Sequence, residues 1–300
     1  MNTNQTFKYK TCADAASAGN LGELKRMREN RFTWGWNTPA YAAENGHLEC
    51  LKYAHSHGCE WDKATPSYAA LNGYIECLRY VFENGCEWDI YTPAYAAKNG
   101  HLDCLKYAHS QGCPWDESTS ALASKYGQLE CLRYAFENGC PWDVSTSVNA
   151  SANGRLECLR YAHDNGCEWY ENTPYRAAMG GHLDCLQYAY ENGCEWDILT
   201  PKVAAENGHF ECFKYCFERW HDPQEFWNCN FVLIKIIDKI DLDDPVWRRL
   251  FNLNLSKHLE LQIKVNNKKN EIEELKSISK KTLKNILPLD IINYCIQPFF

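Results

Sequence analysis

The chain repeats itself every 27 residues, eight times in succession, starting at Thr11. A typical unit, residues 38–64, reads TPAYAAENGHLECLKYAHSHGCEWDKA. A unit of this length holds a pair of short helices. One pair cannot bury its own apolar face, so neighbouring units must stack. The period therefore predicts an all-α solenoid of about eight helix-turn-helix repeats. The units begin at Thr11, Thr38, Thr65, Thr92, Thr119, Thr146, Thr173 and Thr200.

The repeats are predicted to occupy residues 11–226, after an N-terminal lead of residues 1–10. Residues 227–300 become rich in Asn, Lys and Ile, and their apolar segments predict a C-terminal helical region that caps the last repeat. Solenoids need terminal units that shield the exposed core. The first unit fits this need, because Arg26, Arg28 and Arg31 replace residues that are Tyr, His or Phe, and Gly in other units.

The residue pattern within each unit predicts two helices and two turns. The Thr38–Pro39 start predicts a helix N-cap followed by a proline in the first turn. Alanine recurs at the position of Ala42 in every unit, where a small side chain lets neighbouring helices approach closely. Gly46 ends the first helix, the second begins near His47, and Gly58 ends the second.

The charge of the chain is divided unevenly. Residues 227–300 carry 12 Lys and Arg against 9 Asp and Glu, which leaves 19 against 30 for residues 1–226. A repeat region this acidic repels phosphate backbones, so we expect no binding to nucleic acid.

No segment has the roughly 18 to 20 apolar residues that span a bilayer. The first residues, MNTNQTFKYK, lack the apolar core of a secretory signal. A cytoplasmic protein without a membrane segment is the expectation.

Cysteine recurs at two positions of the repeat, one in the second helix and one after the glycine that ends it. The total of 17 is odd, and free thiols behave as small apolar side chains. We therefore expect these cysteines to be buried and reduced. The two sets are Cys50, Cys77, Cys104, Cys131, Cys158, Cys185 and Cys212, and Cys59, Cys86, Cys113, Cys140, Cys167 and Cys194.

A repeated His-x-x-Cys spacing, as in His47 and Cys50, suggests a metal site. Tyr74, Gln128 and Arg155 replace that His in other units, and the sequence contains no C-x-x-C pair of the kind that zinc sites use. A nucleophile and its base need one asymmetric site, whereas this chain distributes its polar residues evenly. Phosphate-binding and dinucleotide fingerprints are also missing. We expect no metal, no cofactor and no enzymatic activity.

The repeat resembles the ankyrin repeat. The matching residues are Thr38–Pro39, Ala42–Ala43, Gly46–Glu49 and Gly58, in that order, and the resemblance covers residues 11 to about 226. An ankyrin repeat has about 33 residues. Here one residue is missing from the first helix, and about five are missing where the family places a projecting hairpin. The hairpin should therefore be reduced to a short loop. Units this compact look like the ankyrin arrays common in large DNA viruses of amoebae.

Each of these short loops carries a tryptophan flanked by acidic residues. We expect the tryptophans to stack in a ladder that covers the core between units. An acidic and aromatic edge suits a basic protein partner, because Trp is enriched at binding hot spots and complementary charge guides association. The tryptophans are Trp61, Trp88, Trp115, Trp142, Trp169 and Trp196.

Ankyrin-type proteins bind partners through the first helix of each repeat and the loops on the concave side. The resemblance therefore places recognition at positions that differ between repeats, and the aromatic residues among them concentrate in the N-terminal half. We predict a protein-binding surface at Tyr41, Tyr68, Tyr95, Leu122, Glu44, Leu71, Lys98, Ile90 and Tyr91.

A segment near residue 290 resembles the first helix of an F-box and the F-box-like module that many poxviral ankyrin proteins carry after their repeats. The family uses that module to recruit a cullin–Skp1 ubiquitin ligase. The residues concerned are Leu287, Pro288, Leu289, Ile291 and Ile292. A structural cap is the alternative role for this segment.

Three functional hypotheses follow from these features. The chain is an interaction scaffold, a substrate adaptor for a ubiquitin ligase, or a structural component of an assembly such as a virion. The sequence leaves the oligomeric state and the identity of the partner open.

Overall fold

The computed structural model describes residues 7–219 and the isolated positions 245, 267, 269–271, 273 and 274. The chain divides into two compact units at the junction of Trp196 and Asp197. Residues 7–219 form sixteen helices and no strand, which confirms the predicted all-α class. The helices are α1 Cys12–Ser17, α2 Leu21–Glu29, α3 Thr38–Glu44, α4 Leu48–Ser56, α5 Ala64–Leu71, α6 Ile75–Glu83, α7 Tyr91–Lys98, α8 Leu102–Ser110, α9 Glu117–Tyr126, α10 Leu129–Glu137, α11 Val144–Ala152, α12 Leu156–Asp164, α13 Thr173–Gly180, α14 Leu183–Glu191, α15 Leu199–Glu206 and α16 Phe210–Arg219.

The helices pair as the repeat predicts. The first unit stacks seven pairs, α1–α14, and α15 packs on α16 in the second unit. In the first unit, the odd-numbered first helices pack on one another far more extensively than the even-numbered second helices do. The cause is alanine, since Ala42 and Ala96 are 0 % exposed and carry side chains small enough for close backbone approach. The seven repeats of the first unit therefore form an ankyrin-like helical solenoid.

The second helices supply the larger core side chains. In α8, Leu105 is fully buried beside Cys104 and Ala108. Full burial of a leucine side chain stabilises the fold by about 1.5–3 kcal/mol. The leucine at this position is fully buried in successive repeats, namely Leu51, Leu78, Leu105, Leu132, Leu159 and Leu186. One leucine per repeat thus builds a continuous core through the stack.

The prediction that threonine caps the first helix is wrong for the inner repeats. Thr11 does cap α1, because its Oγ1 accepts a hydrogen bond from the Asp14 N–H at 3.1 Å. Thr92, by contrast, lies inside α7 and is 0 % exposed. The linking segment before it supplies an aspartate instead: Asp89 Oδ1 accepts from the Thr92 N–H at 3.0 Å. Aspartate is among the strongest capping residues, so the threonine is free to pack in the core.

Two turns close each repeat. The inner turn joins the two helices of one repeat, as at residues 72–74, and the linking loop joins one repeat to the next, as at residues 85–90. Both contain a glycine in the left-handed region, with φ of +77° at Gly73 and +88° at Gly85. The predicted glycine ends of both helices are therefore confirmed.

The first repeat carries its arginines where they cover aromatic rings. The guanidinium of Arg26 lies 4.4 Å from the Phe7 ring centre, and that of Arg28 lies 4.3 Å from the Trp34 ring centre. Arg31 replaces a glycine and keeps its left-handed conformation, with φ of +64°. Arginine at this position gives the end of the stack a polar surface in place of an exposed core.

No helix in the described part of the chain is long and apolar enough to cross a membrane. The predicted C-terminal helical region, residues 227–300, lies outside the described residues apart from the isolated positions named above.

Candidate functional site

The tryptophans of the linking loops pack between second helices and not on one another. Trp115 stacks on His109 of its own repeat, with ring centroids 4.0 Å apart, and meets Tyr134 of the next repeat edge-on at 6.4 Å. In place of the expected ladder of stacked tryptophans, Trp115 forms a cluster with one ring of its own repeat and one tyrosine of the next repeat. The same packing recurs at Trp61, Trp88, Trp142 and Trp169.

The acidic residues of the linking loops have different roles. Asp89 accepts hydrogen bonds from Ser67 Oγ at 2.6 Å and from the Thr92 hydroxyl at 3.0 Å, besides the backbone bond that caps α7. Glu87, two residues earlier, is exposed and forms an ion pair with Lys63 Nζ at 3.0 Å. The aspartates of the predicted acidic edge are thus engaged in the fold, whereas the glutamates face solvent. The capping bonds recur at Asp62, Asp116 and Asp143.

The His-x-x-Cys pattern is divided between two environments. His101 lies against the inner turn of the preceding repeat, where a Cβ on Gly73 would be 2.5 Å from His101 Nδ1. Cys104 is buried in the second-helix core, and burial raises the pKa of its thiol to about 12. A thiol with so high a pKa stays protonated at neutral pH and is a poor metal ligand.

The described residues hold no group of three His, Cys, Asp or Glu side chains that is arranged to bind a metal ion. All fifteen cysteines in this part of the chain are buried thiols outside any disulfide, as the sequence predicted.

The residues predicted to bind a partner come together on the first helices. Tyr41 of α3, Tyr68 of α5, Tyr95 of α7 and Leu122 of α9 occupy equivalent positions in four consecutive repeats. Tyr41 is 37 % exposed, and the other three are half-buried. Glu44, Leu71 and Lys98 follow one turn later on the same helix faces and are also half-buried.

Ile90 and Tyr91 lie where a linking loop enters α7, and they are 38 % and 53 % exposed. The Tyr91 ring centroid is 5.8 Å from that of Tyr95, one turn further along the helix. We name Tyr68, Leu71, Tyr91, Tyr95 and Leu122 the tyrosine patch, because they lie on three adjacent first helices.

Sequence reasoning missed the most exposed apolar side chain in the described residues. Trp36 is 77 % exposed in the linking loop before α3, at the position that Ile90 holds two repeats later. The sequence does contain a sign of this exposure, because the equivalent positions in other repeats hold Lys63 and Glu117. A position that accepts Trp, Lys and Glu in turn is typical of an exposed surface. Trp36 therefore extends the candidate surface toward the first repeat.

The predicted ligase-recruiting residues, Leu287–Leu289, Ile291 and Ile292, lie outside the described residues. Their role stays a prediction.

A comparison with protein-family models supports the repeat assignment for part of the chain. A family model described as ankyrin repeats matches residues 13–92 in three copies. The ankyrin repeat domain of human ASB11 is structurally similar, with a TM-score of 0.46, 19 % identity, and coverage of 53 % of this chain and 85 % of that one. The comparison with curated proteins found no match. Residues 13–92 thus match three ankyrin repeats, and they form part of an ankyrin-like helical solenoid.

Proposed function

We propose that the chain is a non-catalytic scaffold that binds a protein partner through its first helices and the adjoining linking loops. One observation carries the proposal: the repeat positions fall into two classes. Buried positions such as Ala96 and Leu105 keep nearly the same residue from repeat to repeat, whereas the position of Tyr95 varies and is partly exposed to solvent. Packing explains the first class and leaves the second available for recognition.

The chemistry of the variable positions supports a protein partner. Tyrosine and tryptophan offer a large rigid contact area with few rotatable bonds and are enriched at binding hot spots. Tyr91 and Trp36 are both more than half exposed, at 53 % and 77 %, on the same side of the repeats as the linking loops. Burial of such exposed side chains against a partner lowers the free energy and favours binding.

Proximity labelling with the full chain, followed by binding measurements on the purified partner, tests the proposal. The double substitution Tyr68→Ala and Tyr95→Ala should weaken binding about thirtyfold or more, the usual loss for a hot-spot aromatic. The matched control is Tyr170→Ala, because Tyr170 is 41 % exposed but lies outside the tyrosine patch. A partner that binds both variants equally well would place recognition elsewhere.

The adaptor hypothesis needs a separate experiment, because it concerns residues 284–300. Full-length protein should co-purify a cullin–Skp1 complex, and a chain truncated after residue 283 should lose it while still binding the partner. Retention of the complex by the truncated chain would refute the adaptor role and leave the scaffold intact.

A further inference from the structure

Two lysines of adjacent repeats converge on one exposed tyrosine. The ammonium groups of Lys98 and Lys125 stand 5.2 Å and 5.7 Å from the centre of the Tyr126 ring, and Tyr126 is 38 % exposed. Lys98 is the last residue of α7, and Lys125 lies in the last turn of α9. The stacking of the repeats therefore brings two like charges to a single ring.

An arginine of the next repeat adds a third cation. Arg155 lies in the inner turn between α11 and α12, and its Nε is 3.5 Å from the carbonyl oxygen of Lys125. Its side chain fills the space beside Gly127, where an added Cβ would be 2.9 Å from Arg155 Cδ. We name Lys98 and Lys125, which flank the Tyr126 ring, and Arg155, which contacts the Lys125 carbonyl, the basic cluster.

The basic cluster has no acidic partner within the part of the chain that the structure describes. No carboxylate of these residues forms an ion pair with any of its three cations. Other cations of the array do pair: Lys52 Nζ lies 3.0 Å from Glu49, and Lys63 Nζ lies 3.0 Å from Glu87. The charges of the basic cluster are therefore available to an external anion.

The second helices give a contrast. In α4, α6, α8, α10 and α12, the Lys or Arg follows an acidic residue by three positions, so opposite charges alternate along that face. The pairs are Glu49 and Lys52, Glu76 and Arg79, Asp103 and Lys106, Glu130 and Arg133, and Glu157 and Arg160. The first-helix face has no such alternation, and its basic cluster keeps a local positive charge in a chain of net charge −8.

We propose that the basic cluster and the tyrosine patch together bind an acidic peptide segment of the protein partner. The two surfaces are continuous, because Lys98 lies one turn after Tyr95 on α7 and Lys125 lies one turn after Leu122 on α9. An apolar side chain of the segment packs on the tyrosine patch while its carboxylates face the three cations. This inference rests on the proposed function and names its partner class.

The distribution of charge along the array determines where the acidic segment binds. The acidic remainder of the array repels a carboxylate-rich peptide, so attraction is confined to the basic cluster. The exposed glutamates that predicted a basic partner lie in the linking loops and are not members of the basic cluster.

The experiment is a peptide-display selection on the immobilised full-length chain, with a random library of peptides. The enriched peptides are then synthesised, and their affinities are measured by fluorescence anisotropy at low and high salt. We expect enrichment of Asp and Glu next to an aromatic or aliphatic residue, and affinity that falls with added salt. The double substitution Lys98→Glu and Lys125→Glu should weaken binding at least about tenfold, since charged hydrogen bonds are lost.

Two further variants keep the result interpretable. Lys98→Gln with Lys125→Gln removes the charge without reversing it and should weaken binding several-fold, with an unchanged helical circular dichroism spectrum. Lys106→Glu with Arg133→Glu makes the same charge change on the second helices and should alter affinity less than about twofold.

The possible failures are distinguishable. Enriched peptides that are neutral or basic, yet lose binding in the Tyr68→Ala and Tyr95→Ala variant, would overturn the acidic partner and keep the scaffold. A selection in which no peptide depends on the tyrosine patch would overturn both proposals.

Discussion

The two turns of each repeat use glycine for different reasons. In the inner turn, a Cβ on Gly73 would meet the His101 ring of the next repeat at 2.5 Å. In the linking loop, a Cβ on Gly85 would meet no atom within 4 Å. Both glycines have positive φ, a backbone conformation that glycine adopts at low cost and other residues disfavour. The inner turn additionally needs the space that the missing side chain leaves for its neighbour.

The linking loop is instead held by the side chains it contributes. Trp115 packs between two second helices, and Cys113 donates its thiol hydrogen to the Asp89 carbonyl of the preceding loop at 3.3 Å. Contact between repeats thus depends on a small residue at one turn and on large or polar residues at the other. This difference predicts how each turn responds to pH and to substitution.

Raising the pH should affect the linking loops more than the inner turns, because the linking loops carry buried thiols and the inner turns carry none. Burial raises the pKa of Cys86 and Cys113 to about 12 from the ordinary value of 9.0. Such a thiol is neutral in both the folded and unfolded states below about pH 9, and its stabilising effect is lost as the pH rises toward the folded pKa. Buried thiols of the second helices, such as Cys104, add the same effect, because burial raises the pKa of that thiol as well.

The melting temperature followed by circular dichroism should therefore stay level up to about pH 8.5 and fall steeply by about pH 10. A variant with alanine at Cys86, Cys113 and Cys140 should show a shallower fall. An unchanged melting temperature at about pH 10 would show that the thiols are not buried in solution.

Truncation of a linking-loop tryptophan should have the next largest effect. Trp115→Ala removes the ring between His109 and Tyr134, and we expect a loss of about 2–3 kcal/mol in the free energy of unfolding. The control is Trp36→Ala, whose side chain is 77 % exposed and should change stability by less than about 0.5 kcal/mol. Urea unfolding measures both, and equal losses would contradict the packing of Trp115.

The glycine comparison can be tested with a matched pair of asparagine substitutions. Asparagine tolerates the left-handed conformation, so Gly85→Asn should cost less than about 1 kcal/mol. Gly73→Asn adds an overlap with the His101 ring and should cost about 2 kcal/mol. Urea denaturation of the two variants gives the difference, and equal costs would mean that the inner turn has room for a side chain.

The repeat in the sequence predicted much of the fold, because period and helix patterning both depend on local spacing. The helix pairs, the alanine row, the glycine ends and the buried cysteines all follow from residues that recur at fixed positions. The capping of the first helices did not follow. The Thr-Pro pair is typical of a helix N-cap, but in the fold the capping group is Asp89 of the linking loop. Its carboxylate accepts the hydrogen bond from the Thr92 N–H, and the sequence alone does not distinguish the two capping residues.

The candidate surface was predicted in part. Tyr41, Tyr68 and Tyr95 were predicted to lie on it because the residue at their position changes in the later repeats, and their contact with a partner stays a prediction. Of the basic cluster, only Lys98 was among the residues predicted to bind a partner, since the cluster joins Lys98, Lys125 and Arg155 from three repeats and from both helices and a turn. Contacts between repeats of unlike residues depend on how the helices stack, which the period alone does not specify.

The smallest expected effect separates two acidic residues that look equivalent in the sequence. Asp89→Ala removes the carboxylate that accepts from Ser67, from the Thr92 hydroxyl and from the Thr92 N–H, and should cost about 1 kcal/mol. Glu87→Ala removes the same charge from the same loop, but its ion pair with Lys63 is exposed at both ends and should be worth less than about 0.5 kcal/mol. Urea unfolding at low and high salt distinguishes the two, because salt screens the ion pair and leaves the capping bonds largely intact. Equal, salt-sensitive losses would mean that Asp89 acts as a surface charge and that the linking loop is not fixed by its cap.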